Sequence, residues 1–188
     1  MSEARQSPAP VSLSAFLRSR NQSVYAVLDA ARSGAVRPLL QRSGERYASL
    51  FSGRLAEDLA DQAPYLVQFS DTSDLLDALA EPVCEQAWGY FLVSAASFDA
   101  LRTHLRKFLI VKREDGRELF FRFYDPRVIR SFLRLSTPGQ AGDLLQNISG
   151  LVCPSGDASV VLVFRLAKGE LLSSELVVAR PWVSTAVS

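Results

Sequence analysis

From residue 12 onward the apolar positions switch repeatedly between a helical and a strand-like rhythm, and the switching predicts the elements of the fold. Leu13, Phe16 and Leu17 fall on one side of a short helix over 12–20, and the apolar run Val24–Leu28 reads as a buried strand that ends at Asp29. A helix is expected over 35–42, interrupted or started near Pro38, and a second strand over 46–51 between Gly44 and Gly53. Leu55 and Leu59 lie one turn apart with Glu57, Asp58 and Asp61 elsewhere, the pattern of an amphipathic helix over 54–61. Pro64 stops it and Tyr65–Phe69 follows as a strand. Asp71 or Thr72 is placed to cap the next helix, which runs to about Glu81. That helix turns Leu75, Leu76 and Leu79 inward and leaves Asp74, Asp77 and Glu81 on an outer stripe.

Gly89–Val93 is a further apolar strand leading to Ser94, and Ser97 caps a helix with Phe98, Leu101, Leu105 and Phe108 on one stripe. Segments 110–112 and 118–124 flank Asp115-Gly116, a strong hairpin-turn dipeptide. Asp125 then caps, and Pro126 opens, a helix reaching about Arg134. Beyond Pro138, Gly139 and Gly142 a helix-like patch surrounds Leu144, and 160–165 and 171–178 read as two late strands. Strands that alternate with helices predict an α/β fold: a mixed sheet with flanking helices, including at least one antiparallel hairpin.

The length of 188 residues suits one domain of ordinary size, and 48% apolar content is enough for a sizeable core. Residues 1–11 read as a loose tail, 12–135 as the α/β domain and 136–188 as a short C-terminal extension packing on it. The start Met1-Ser2-Glu3-Ala4-Arg5 has no apolar run behind its charge, and the longest uncharged apolar-rich stretches are too short to span a bilayer. A cytoplasmic location without membrane contact is therefore expected. Cys84 and Cys153 have no metal-binding spacing and are expected to be reduced, buried thiols.

Charge changes the picture more. Residues 1–54 carry eight basic and three acidic groups, 55–100 carry nine acidic groups and no Lys or Arg, and 101–134 carry ten basic and four acidic groups. Such blocks either steer a partner or pair with one another inside the fold. Within the second basic block Arg127, Arg130 and Arg134 fall at i, i+3 and i+7, and Arg102 and Arg106 form a ridge on the preceding helix. Guanidinium forks suit carboxylates or phosphates. Arg127, Arg130, Arg134 and Arg106 are accordingly the candidate partner-binding residues, with nucleic acid at 101–134 as the alternative partner to an acidic protein surface.

Catalytic signatures are sparse. No glycine-rich phosphate loop, dinucleotide fingerprint or nucleophile elbow is present. The single histidine, His104, excludes multi-histidine metal sites, and its place beside Leu105 on the helix stripe suits a structural imidazole better than a base for Ser94 or Cys84. No catalytic residue, cofactor, metal or small-molecule substrate is expected. The most distinctive segment is Phe121-Arg122-Phe123-Tyr124-Asp125-Pro126-Arg127, preceded by Phe120. As a strand it sets Leu119, Phe121 and Phe123 on one face and Phe120, Arg122 and Tyr124 on the other. Arg122 would then stack between two aromatics at a rigid strand-to-helix corner.

Five segments in order carry a likeness: Tyr25-Ala26-Val27-Leu28-Asp29-Ala30, Ala63-Pro64-Tyr65-Leu66-Val67, Gly89-Tyr90-Phe91-Leu92-Val93-Ser94, His104-Leu105-Arg106-Lys107, and Phe121 to Arg127. Over residues 23–135 the chain resembles the adaptor chaperones of type VI secretion effectors, a family catalogued as a domain of unknown function. The resemblance implies a non-enzymatic protein that binds a secreted effector in the cytoplasm and loads it onto the valine-glycine-repeat (VgrG) spike. It marks Tyr65, Arg122, Tyr124, Asp125 and Pro126 as the structural motif.

Overall fold

The computed structural model describes residues 10–112 and 116–179. The chain runs through α1 (Leu13–Arg18), β1 (Ser23–Asp29), α2 (Val36–Ser43), β2 (Arg46–Ser49), α3 (Arg54–Asp58), β3 (Pro64–Gln68), α4 (Asp74–Gln86), β4 (Gly89–Ser94) and α5 (Phe98–Arg106). It continues through β5 (Ile110–Lys112), β6 (Glu118–Phe120), α6 (Pro126–Leu135), α7 (Pro138–Leu144), β7 (Gly150–Pro154), β8 (Val160–Ala167) and β9 (Glu170–Val177). Seven strands form one sheet in the order β2-β3-β1-β4-β7-β8-β9, and every neighbouring pair is antiparallel. β5 and β6 pair separately, and Asp115 of their expected turn lies outside the described residues. The α/β class, flanking helices and antiparallel hairpins are those the sequence predicts.

Helices cover both faces. Because side chains opposite one another across a sheet share a face, Ala26, Phe91, Val152 and Val163 lie on one side and Tyr25, Leu92, Leu151 and Phe164 on the other. The first side carries α1, α2 and α4, with Arg18 of α1 bonded to Asp77 of α4. The second carries α5 and α6, with Arg46 of β2 paired to Asp99 of α5. β1, β3, β4 and β7 are buried along almost their whole length, as a doubly covered antiparallel centre requires. β9 is mostly exposed. Residues 136–179 thus supply α7 and three strands of the same sheet.

Several local expectations are corrected. Ser73, not Asp71 or Thr72, caps α4, its hydroxyl accepting from the Leu76 amide. α4 continues through Pro82 to Gln86, because the buried Val83 and Cys84 hold its last turn against the core. α3 has five residues and buries none; Leu55 is exposed, since little more than one turn follows Gly53. The 118–124 strand stops at Phe120: Phe121 donates one last bond to the Leu109 carbonyl, and the chain turns as the Asp125 amide bonds the Arg122 carbonyl. β7 escapes the sequence pattern altogether, being a short apolar run between Gly150 and Pro154.

Candidate functional site

The end of β1, the start of β4 and the start of α6 meet at one corner of the sheet. β4 begins with Gly89 because a Cβ there would come 2.0 Å from the Val27 carbonyl oxygen. Just before it, the Trp88 carbonyl accepts the Asp29 amide at 2.8 Å. The Asp29 carboxylate is 0% exposed, accepts from the Ala31 amide at 3.1 Å and pairs with Arg122 at 3.3 Å. Burial pushes the Asp29 carboxyl above its ordinary value, and the Ala31 amide and the Arg122 guanidinium offset only part of that. The Arg122 side chain is 52% exposed, so this pair stands at the mouth of the corner.

Arg122 lies over Tyr124, its guanidinium carbon 5.6 Å from the ring centroid. The expected second aromatic, Phe120, instead packs edge-on against Phe51, because the strand ends there and its alternation with it. The Tyr124 phenol is raised by burial, with the Arg122 charge opposing. Asp125 caps α6 as expected, accepting the Arg127 amide at 2.9 Å and the Arg127 Nε at 3.0 Å. Burial acts to raise the Asp125 carboxyl, but the bonds from Arg127 outweigh it and hold the group below its ordinary value. Two neighbouring buried carboxylates are thus displaced in opposite directions, Asp29 upward by burial and Asp125 downward by its bonds from Arg127. Tyr65 is also architectural: its hydroxyl donates to the Ala60 carbonyl at 2.7 Å and its ring meets Tyr47 edge-on.

The arginine stripe divides. Arg127 is bound to its own helix cap; Arg130 donates to the Pro154 carbonyl at 2.8 Å and ties α6 to β7. Arg134 is exposed at the end of the same helix. Arg106 is half-buried on α5, and its Nε has no hydrogen-bond partner among the described residues. Its neighbour Arg102 gives both Nε and Nη2 to the Ser49 carbonyl. The acidic block faces the first basic block, through Arg18–Asp77, Arg37–Asp61 and Arg46–Asp99.

Ser94 and His104 are bonded elsewhere. The Ser94 hydroxyl donates to the Asn147 carbonyl and accepts the Ala96 amide, while His104 Nε2 lies 2.9 Å from the Leu144 carbonyl oxygen. Ser94 of β4 holds the chain after α7 to the sheet, and His104 ties α5 to the last residue of α7. Among the described residues no cluster of three His, Cys, Asp or Glu could hold a metal, and no helix is long and apolar enough to cross a membrane.

One feature has no signal in the sequence pattern. A groove of about 520 Å³ runs over the α1 side of the sheet, floored by Val93, Val152 and Val163 and edged by Phe16, Arg20 and Arg165. It joins segments more than a hundred residues apart, so only the strand order reveals it.

Residues 24–143 match the family model described as a domain of unknown function, DUF4123. No curated protein matches the chain, and no solved structure does.

Proposed function

We propose that this chain, which belongs to the DUF4123 family associated with type VI secretion effectors, is a non-enzymatic adaptor that binds one effector in the cytoplasm and loads it onto the VgrG spike. The observation that carries the reading is where the family-matched residues go. Asp29, Arg122, Tyr124 and Asp125 bond to one another or to backbone and fix β1 against α6, and Tyr65 anchors β3. A corner engaged in this way suits a rigid scaffold that presents surfaces to a protein. The non-enzymatic part draws support from Ser94 and His104, which bond to the carbonyls of Asn147 and Leu144. The exposed arginine Arg134, with Arg106 and the outer parts of Arg127 and Arg130, is the surface proposed for an acidic partner.

The test is affinity capture from a native lysate with the tagged chain as bait, followed by mass spectrometry. A single large effector and the spike protein are the expected catch, and deletion of the gene should abolish delivery of that effector alone. Recovery of nucleic acid without these proteins, with an affinity that falls steeply as salt rises, would overturn the reading in favour of phosphate binding through 101–134.

A further inference from the structure

The two edges of the sheet are unlike. β2 is four residues long, and Arg102 caps the carbonyl of its last residue, Ser49. β9 is eight residues long, without proline, and pairs with β8 in unbroken register. Natural sheets usually blunt so long an edge with proline, a bulge or cover, because its free backbone groups are a template for another strand.

Which groups face outward follows from the turn. Lys168 and Gly169, both at positive φ, form a two-residue hairpin closed by the pair Ala167 and Glu170. Hydrogen-bonded pairs then recur at every second residue, so Glu170, Leu172, Ser174 and Leu176 bond to β8. The amides and carbonyls of Leu171, Ser173, Glu175 and Val177 point away. The far end of the strand agrees: the Val178 amide bonds inward to the Ser159 carbonyl. The Val177 carbonyl and the Ala179 amide bond outward to Val11, which lies there as a parallel bridge. This edge therefore already accepts extended backbone at one end. Among the described residues, the outward groups of Leu171, Ser173 and Glu175 have no backbone partner.

We propose that the outer edge of β9 over Leu171–Glu175 receives an extended segment of the effector as an added strand. The effector's identity as the donor rests on the adaptor reading; the strand-accepting edge rests on the register alone. Backbone bonds would supply affinity, and alternate side chains of the incoming strand would supply specificity. On one face those side chains lie beside Leu172, Ser174 and Leu176, the last two of which line the groove under Phe16 and Arg20. Small or apolar residues suit that face. A basic residue suits the position opposite Glu175.

Proline substitution separates this edge from the fold, because proline removes an amide that at these positions bonds nothing in β8. The probe is the effector retained by the wild-type chain, identified by mass spectrometry and produced recombinantly. Ser173→Pro should weaken its binding at least about tenfold while Ser173→Ala binds like wild type. Unchanged affinity of a folded Ser173→Pro chain would overturn the proposal. Hydrogen exchange on the wild-type chain gives a second readout that needs no variant. The amides of Leu171, Ser173 and Glu175 should exchange fast in the free chain and slow in the complex, while those of Leu172 and Ser174 are slow in both. Slow outward amides in the free chain at every concentration would mean that the chain covers its own edge. Slowing that depends on chain concentration alone would mean a second copy, and either result overturns the proposal. An effector retained equally by wild type and proline variant sinks this inference alone. Retention of no effector by either sinks the adaptor reading, and with it the donor.

Discussion

At Gly89 a single hydrogen decides whether β4 can lie against β1. The carbonyl that a Cβ would strike belongs to backbone, so relief requires the strands to part. Gly89→Ala should cost about 3 kcal/mol or more, read as a lower urea midpoint. Asp29 and Asp125 make a second prediction at this scale, with opposite signs. Asp125 ionises more readily in the fold than in the open chain, so its stabilisation is complete above the ordinary carboxylate value of about 3.9 and disappears as pH falls through the lower folded value. Asp29 ionises less readily in the fold. Its contribution is complete below that ordinary value and is lost as pH rises through the higher folded one. Asp29→Asn should flatten the stability curve on the upper side of the ordinary value and Asp125→Asn on the lower side, as thermal melts across acid pH would show. If both variants track the wild-type curve, burial and pairing at this corner have been misjudged.

Elements were legible where one residue type has one physical use. Ser97 and Asp125 cap their helices as the sequence predicts, and Pro126 starts α6, because a side-chain acceptor or a ring with fixed φ leaves few alternatives there. Ser73 was hidden by the equally suitable Asp71 and Thr72 beside it. β7 was hidden because Gly and Pro at its ends read as loop, and its worth lies in β4 and β8 alongside. The corner of Asp29 and Arg122 joins residues 93 positions apart, so its two halves were visible and their meeting was not. The arginine stripe on α6 shows the same limit: periodicity aligned three guanidiniums, but only the fold gave two of them internal bonds. Arg134→Glu should therefore weaken effector binding about tenfold without moving the melting temperature. Arg130→Glu should lower the melting temperature as well, by removing a charged donor from the Pro154 carbonyl, a loss of about 1.5 kcal/mol. Calorimetric titration beside melting curves checks both; equal melting losses would make the whole stripe scaffold.

Across the whole molecule, the charge blocks are used in sequence order. The acidic block meets the first basic block through three surface pairs, which in water hold orientation more than stability. Stability resides in the sheet, and the last three strands are integral to it. A chain ending at Ser149 would lose β7–β9 and leave β4, a fully buried strand, as an apolar edge. It should show no cooperative melting and should bind a hydrophobic dye, where an independent domain would melt sharply. The same strand order also has a consequence in time. β4 is complete at position 94, yet the strand that covers its outer edge begins at position 150. At ordinary rates of synthesis, 5–20 residues per second, that interval lasts about 3–11 s. For those seconds each nascent chain exposes the outer edge of Tyr90-Phe91-Leu92-Val93, whose other edge pairs with β1, beside its neighbours on the same messenger, so losses to aggregation should rise with crowding on the polysome.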